Sequence, residues 1–135
     1  MIHEEICTYE VCKLAKEKGF REKCIEHYYD DTKDLYRSSN PQCYNFGGNT
    51  SYAPTQSLLQ RWMREEKGII VEVIAQPTCS TSKKNCYWWS VKQNSDGFCY
   101  QYEECSYILY SDEGYFNTYE LALEDALKYA LENLV

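Results

Sequence analysis

Apolar positions recur along this chain at two spacings, and the switch between them separates helices from strands. From Thr8 onward, Val11, Leu14, Ala15 and Lys18 fall on one side of a helix. Thr8 can accept from the open N–H groups of the first turn, Glu10 lies at the positive end of the helix dipole, and Gly19 supplies the stop. A second helix is signalled more strongly. Ala53-Pro54-Thr55 is a start, Leu58, Leu59, Trp62 and Met63 form one stripe, and Gly68 follows Lys67. A third opens at Thr118-Tyr119-Glu120 and puts Tyr119, Ala122, Leu123, Ala126, Ala130 and Leu134 on one apolar face.

Between the second and third helices the period shortens. Residues 69–74 are a β-branched run, and residues 86–92 (CYWWSVK) and 98–110 (FCYQYEECSYILY) read as two more strands, the last with a bend near Glu104-Cys105. Asn94-Ser95-Asp96-Gly97 is a hairpin signal and residues 77–85 a polar connection. Upstream, Tyr28-Tyr29 and Leu35-Tyr36 flank the polar residues 30–34 and read as two short strands around a turn, with a continued helix as the alternative. Residues 38–53, with Ser38-Ser39-Asn40-Pro41 and Gly47-Gly48-Asn49, read as loop.

The expected fold is therefore α+β in a single domain of residues 1–135. An α-β-β-β-α core over residues 53–135 has a three-stranded antiparallel sheet with two helices on one face. Residues 1–52 precede it as a helix plus a Tyr-rich hairpin and loop. Alternation points Ile69, Val71, Val73, Tyr87, Trp89, Val91, Tyr100 and Tyr102 at the helices. Ile70, Glu72, Ile74, Trp88, Ser90, Lys92, Gln101 and Glu103 take the opposite face, which is apolar enough to need a cover. The N-terminal segment folding across it is favoured slightly over a second chain, which would make a homo-oligomer.

The length suits one domain with a real core, and the 14 tyrosines and three tryptophans suit half-buried strand surfaces first and wet interfaces second. Charge is uneven: residues 99–135 hold one Lys/Arg against eight Asp/Glu, which matches the whole net charge of −7, while residues 38–98 are slightly basic. A polyanion could meet only that middle stretch. The opening residues lack the basic and apolar runs of a secretory signal, and no stretch has transmembrane length, so a cytoplasmic protein without a membrane partner is expected. In that setting the eight cysteines read as free, buried thiols rather than as a disulfide framework.

With TYEVCKLAKEKGF at 8–20, APTQSLLQRWMRE at 53–65 and the helix at 118–131 laid out, the chain resembles a family of small hypothetical proteins of Bacteroidetes bacteriophages and prophages. The resemblance implies a viral accessory protein working in an infected bacterial host, and brings no catalytic residue with it. In layout alone the core is similar to double-stranded RNA-binding domains. Those place lysines at the start of their second helix, where this chain has Thr118-Tyr119-Glu120 followed by Glu124 and Asp125, so ordinary duplex RNA is disfavoured.

The residues offer little for catalysis. His3 and His27 are the only histidines, and His3 with Cys7 and Cys24 with His27 could suit zinc only if both pairs lay on helices, which residues 24–27 do not favour. No cysteine sits at an evident helix start or in a basic cluster, adjacent carboxylates such as Glu103-Glu104 and Asp112-Glu113 fit solubility better than chemistry, and no phosphate loop or hydrolase motif occurs. No cofactor is implied. The remaining candidate is a ligand-binding set of Arg61, Arg64, Lys83, Lys84, Trp88 and Lys92, which would stack a base and neutralise phosphate if it converged. The expected function is binding, either of a small nucleotide signal or of a host protein, in counter-defence. The alternatives are an enzyme with an unrecognised site and nucleic-acid binding or mimicry.

Overall fold

The structure, a computed structural model, describes residues 1–38, 49–76, 86–93, 107–110 and 116–135. Three helices carry the core. α1 (Tyr9–Glu17) starts where the Thr8 hydroxyl accepts from the Val11 N–H, and it ends as Gly19 turns the chain at φ 98°. Its buried residues are Val11, Cys12 and Ala15, so Cys12 joins the expected stripe while Leu14 and Lys18 stay half-buried at its edge. α2 (Gln56–Lys67) is capped by Thr55, which accepts from the Leu58 N–H, and stops at Gly68 in the left-handed region, φ 65°. α3 (Tyr119–Asn133) is capped by Thr118 and buries Ala122, Leu123, Ala126, Leu127, Ala130 and Leu131. Leu127 and Leu131 thus widen the expected face, and Tyr119 lies off it, exposed at the helix start.

Strands fall into two antiparallel sheets. β1 (Glu26–Tyr29) and β2 (Leu35–Arg37) form the expected hairpin around the acidic turn. β3 (Thr50–Tyr52) pairs with the other edge of β1, with His27 opposite Tyr52, to give the order β2-β1-β3. The loop expected at 38–53 therefore holds a strand at its end; three residues give no measurable alternation, and pairing with β1 is what forms it. β4 (Ile69–Gln76), β5 (Cys86–Gln93) and β6 (Tyr107–Tyr110) make a second sheet in sequence order. The hairpin signal at 94–97, the bend near Glu104-Cys105, and Tyr100, Tyr102, Gln101 and Glu103 lie outside the described residues.

α2 and α3 pack side by side on one face of β4-β5-β6, the α+β arrangement expected from the periodicities. Ile69, Val71, Trp89 and Val91 are buried beneath them with Leu59, Trp62, Met63, Leu127 and Leu131. The Trp89 indole donates to Asp125 of α3 at 2.8 Å, which fixes this as the inner face.

The described part of the N-terminal segment lies elsewhere than expected. Among the described residues α1 packs against α3 and β3, on the helix side of the molecule, rather than across the opposite sheet face. Polar contacts hold it there. One oxygen of Glu124 on α3 accepts from both the N–H and the hydroxyl of Thr8 at 2.7 Å, the other accepts from Gln56 at 2.8 Å, and Lys128 pairs with Glu10 at 3.0 Å. A carboxylate set against the first turn of α1 also meets the positive end of its dipole. On the outer sheet face Ile70, Ile74 and Trp88 are half-buried and Ser90 is buried.

Candidate functional site

α2 turns Leu59, Trp62 and Met63 into the core, and helical spacing then sends Arg61 and Arg64 outward, one turn apart. The chain leaving α1 runs alongside. Phe20, buried, meets Trp62 edge to face at 5.4 Å and pins that segment, which sets Lys23, Cys24 and Ile25 across from α2. The N-terminal arm closes one end: the Glu5 carbonyl accepts from the Gln56 N–H at 2.9 Å, Ile6 bridges Thr55, and the Glu4 carboxylate accepts from Ser57 at 2.7 Å. Between these walls lies a cleft of 620 Å³. Small-molecule sites are commonly about 300–1,000 Å³.

Three cations line this cleft, Lys23, Arg61 and Arg64, although the protein as a whole is acidic. Arg61 is bonded to Glu65 one turn on, at 2.9 Å. Lys23 and Arg64 have no ion-pair partner among the described residues. Of the carboxylates present, Glu4 is engaged by Ser57, and Glu26 lies 3.8 Å from Arg37. Ile25 and Leu58 add apolar surface beside the cations. The arrangement suits a ligand that joins an anionic group to an apolar body.

Cys24 also lines the cleft, but burial first, and then the nearby Cys12, Glu26 and Glu22, push its thiol up to about 12. It is protonated at neutral pH and lacks the thiolate a nucleophile needs. Cys7 is raised as well, by its hydrogen bond with Cys12 and by burial. His27 is buried between Tyr36 and Tyr52, and desolvation holds it below the usual histidine range against the opposing pull of the Cys24 backbone and Glu26. Among the described residues no group of three or more His, Cys, Asp or Glu side chains could hold a metal ion.

The six candidate residues do not form one site. Arg61 and Arg64 share the cleft. Trp88 and Lys92 stand on the other side of the β4-β5-β6 sheet, because alternation along β5 turns them away once Trp89 and Val91 face the helices. Lys92, its side chain only 11% exposed, is held at 2.6 Å by Glu72, whose same oxygen also accepts from Ser90 at 3.3 Å. Lys83 and Lys84 lie outside the described residues. Lys23 and Ile25 are among the cleft residues absent from that candidate set; they sit in an irregular stretch with no periodic signal.

The chain matches no family model, no curated protein and no solved structure. Among the described residues no helix is long and apolar enough to cross a membrane.

Proposed function

We propose that this protein acts by binding rather than turnover, and that the cleft beside α2 takes a small anionic ligand with an apolar body, of which a nucleotide is the class that fits. The observation that carries the reading is the meeting of Lys23 with Arg61 and Arg64, about forty positions further along the chain, in an opening of ligand size on an otherwise acidic protein. In water-exposed geometry a single phosphate contact is weak, and several converging cations with an apolar wall are what raise it to useful affinity. The protonated Cys24 thiol supports binding over chemistry. The phage resemblance favours the same class, since holding a host nucleotide signal without breaking it serves counter-defence.

Titration calorimetry at low salt with mono-, di- and cyclic oligonucleotides tests this. Binding is expected for at least one, and replacing Arg64 with glutamate, at an exposed position, should weaken it about tenfold or more. Heat from none of them, or equal heat from wild type and variant, would remove the cleft as the site. Recovery of the ligand intact after denaturing the protein separates sequestration from an enzyme.

A further inference from the structure

The charges lining the cleft beside α2 are sorted along its length. Ser57, Gln60, Arg61 and Arg64 face it from one stripe of α2, so it follows that helix for two turns, about 10 Å at about 1.5 Å per residue. The facing wall, residues 20–26, runs in the opposite sense. It begins where Phe20 meets Trp62 at 5.4 Å and ends where the Glu26 carbonyl accepts from the Ala53 N–H at 2.9 Å, just before α2 starts. Lys23 is thereby set nearer Arg61 and Arg64, and Glu26 nearer Glu4, which Ser57 holds at the first turn. This order suits the helix dipole, with carboxylates at its positive end and cations toward its negative one. Glu22, Glu65 and Glu66 line a neighbouring recess rather than the cleft, and Glu65 bonds Arg61 from there.

Glu26 stands where a base edge would lie. Within β1 it shares a face with Tyr28, whose hydroxyl donates to the Cys7 carbonyl, so both side chains turn inward and away from the His27 face. The Glu26 side chain is 27% exposed, and its one ion contact among the described residues is the exposed Arg37, at 3.8 Å, too long for a hydrogen bond. A carboxylate accepts on both oxygens, and the pairing of β1 with β2 and β3 sets this one on a rigid wall.

A ligand that spans this cleft meets donors at one end and acceptors at the other. Its phosphate belongs on Lys23 and Arg64, and a second phosphate at the Glu4 and Glu26 end is repelled, which disfavours ligands carrying phosphate at both ends. The base must then present N–H groups to a carboxylate. Guanine alone among the common bases sets two donors side by side, N1–H and the 2-amino group; adenine and cytosine set an amino group beside a ring-nitrogen acceptor, and uracil sets its N–H between two carbonyls. The two-turn length matches the reach of a nucleotide from base edge to phosphate, and Ile25 and Leu58 give the base apolar cover. We infer that the cleft takes a guanine mononucleotide, with its phosphate on Lys23 and Arg64 and its base edge on Glu26. This rests on the nucleotide reading above and narrows it.

Titration calorimetry on the full chain at low salt, with guanosine, inosine, adenosine and uridine 5′-monophosphates, tests it. Guanosine monophosphate should bind tightest, and inosine monophosphate, which lacks only the 2-amino donor, about tenfold more weakly. Glu26→Gln turns a donor toward the base and should bring the two affinities to within about twofold of each other. The guanosine-to-inosine comparison on the wild-type chain keeps the test alive if that variant does not fold. Equal binding of all the monophosphates, or a preference for adenosine or uridine, would overturn the guanine assignment; loss of that binding in Arg64→Glu would leave the nucleotide reading standing. A guanosine preference that Glu26→Gln leaves intact, or tighter binding of a cyclic dinucleotide, would overturn it as well. Heat from no nucleotide at all would remove the reading and this inference together.

Discussion

Replacing Glu124 with alanine removes one acceptor from three donors at once. Its carboxylate takes the Thr8 N–H and hydroxyl on one oxygen, both at 2.7 Å, and the Gln56 amide at 2.8 Å on the other, joining α3 to the starts of α1 and α2. A hydrogen bond to a charged group contributes about 1.5–3 kcal/mol, and less where water can take over. Thr8 is exposed, so its two donors are largely resolvated in the variant. Gln56 is buried, but its amide keeps a second acceptor in the Glu120 carbonyl at 3.0 Å. The expected loss is therefore about 2–3 kcal/mol rather than the sum of three full bonds. With a urea slope of about 1–3 kcal/mol per molar, the unfolding midpoint should fall by roughly 1 M. Glu124→Gln, which keeps one oxygen but turns a donor toward a donor, should fall between the two. A midpoint for Glu124→Ala within about 0.2 M of wild type would mean that the apolar contacts of α1 with α3 hold the N-terminal segment unaided, and that the polar staple is incidental.

Three further outcomes follow from the geometry. Gly68→Ala forces a side chain into the left-handed region that ends α2, and should cost about 1–2 kcal/mol in the same urea assay. His27 is held below its usual range in the folded protein, so the unfolded chain binds the extra proton first; the contribution of His27 to stability is complete above about 6.5 and is lost as pH falls through its lower folded value. His27→Phe should flatten the stability profile over that acidic window, measured by urea midpoints. Cys7, Cys12 and Cys24 are buried, and the thiols of Cys7 and Cys24 are raised, so peptide mapping after brief native alkylation should find all three unmodified and denaturation should open them together.

Local signals located most of the scaffold. Thr8, Thr55 and Thr118 each cap the helix they were read to start, and Gly68 ends α2 in the conformation glycine favours. The inner face of the large sheet followed from alternation, because burial on one side leaves a strand little choice of register. What escaped was set by partners far away in sequence. Thr50-Ser51-Tyr52 is a strand because β1 is beside it, and the docking of α1 depends on Thr8 meeting Glu124, which no periodicity encodes. The same limit applied to the site. Arg61 and Arg64 were readable as helix neighbours, but joining them to Trp88 and Lys92 ran against the alternation along β5, which puts those two on the sheet face away from α2. The contact of His27 with Tyr36 and Tyr52 was only half legible, since the hairpin reading held Tyr36 while Tyr52 fell in the stretch read as loop.

The span between Thr8 and Glu124, 116 positions, has a bearing on biosynthesis. At about 5–20 residues per second, roughly 6–23 seconds separate the emergence of α1 from the ribosome and that of its resting place on α3. During this interval Val11, Cys12 and Ala15 have no helix to lean on, and such long-range closure is the slow, aggregation-exposed kind. A nascent chain of this design would call on a holding chaperone for its first half, and would gain its native shape in a single late step when α3 arrives.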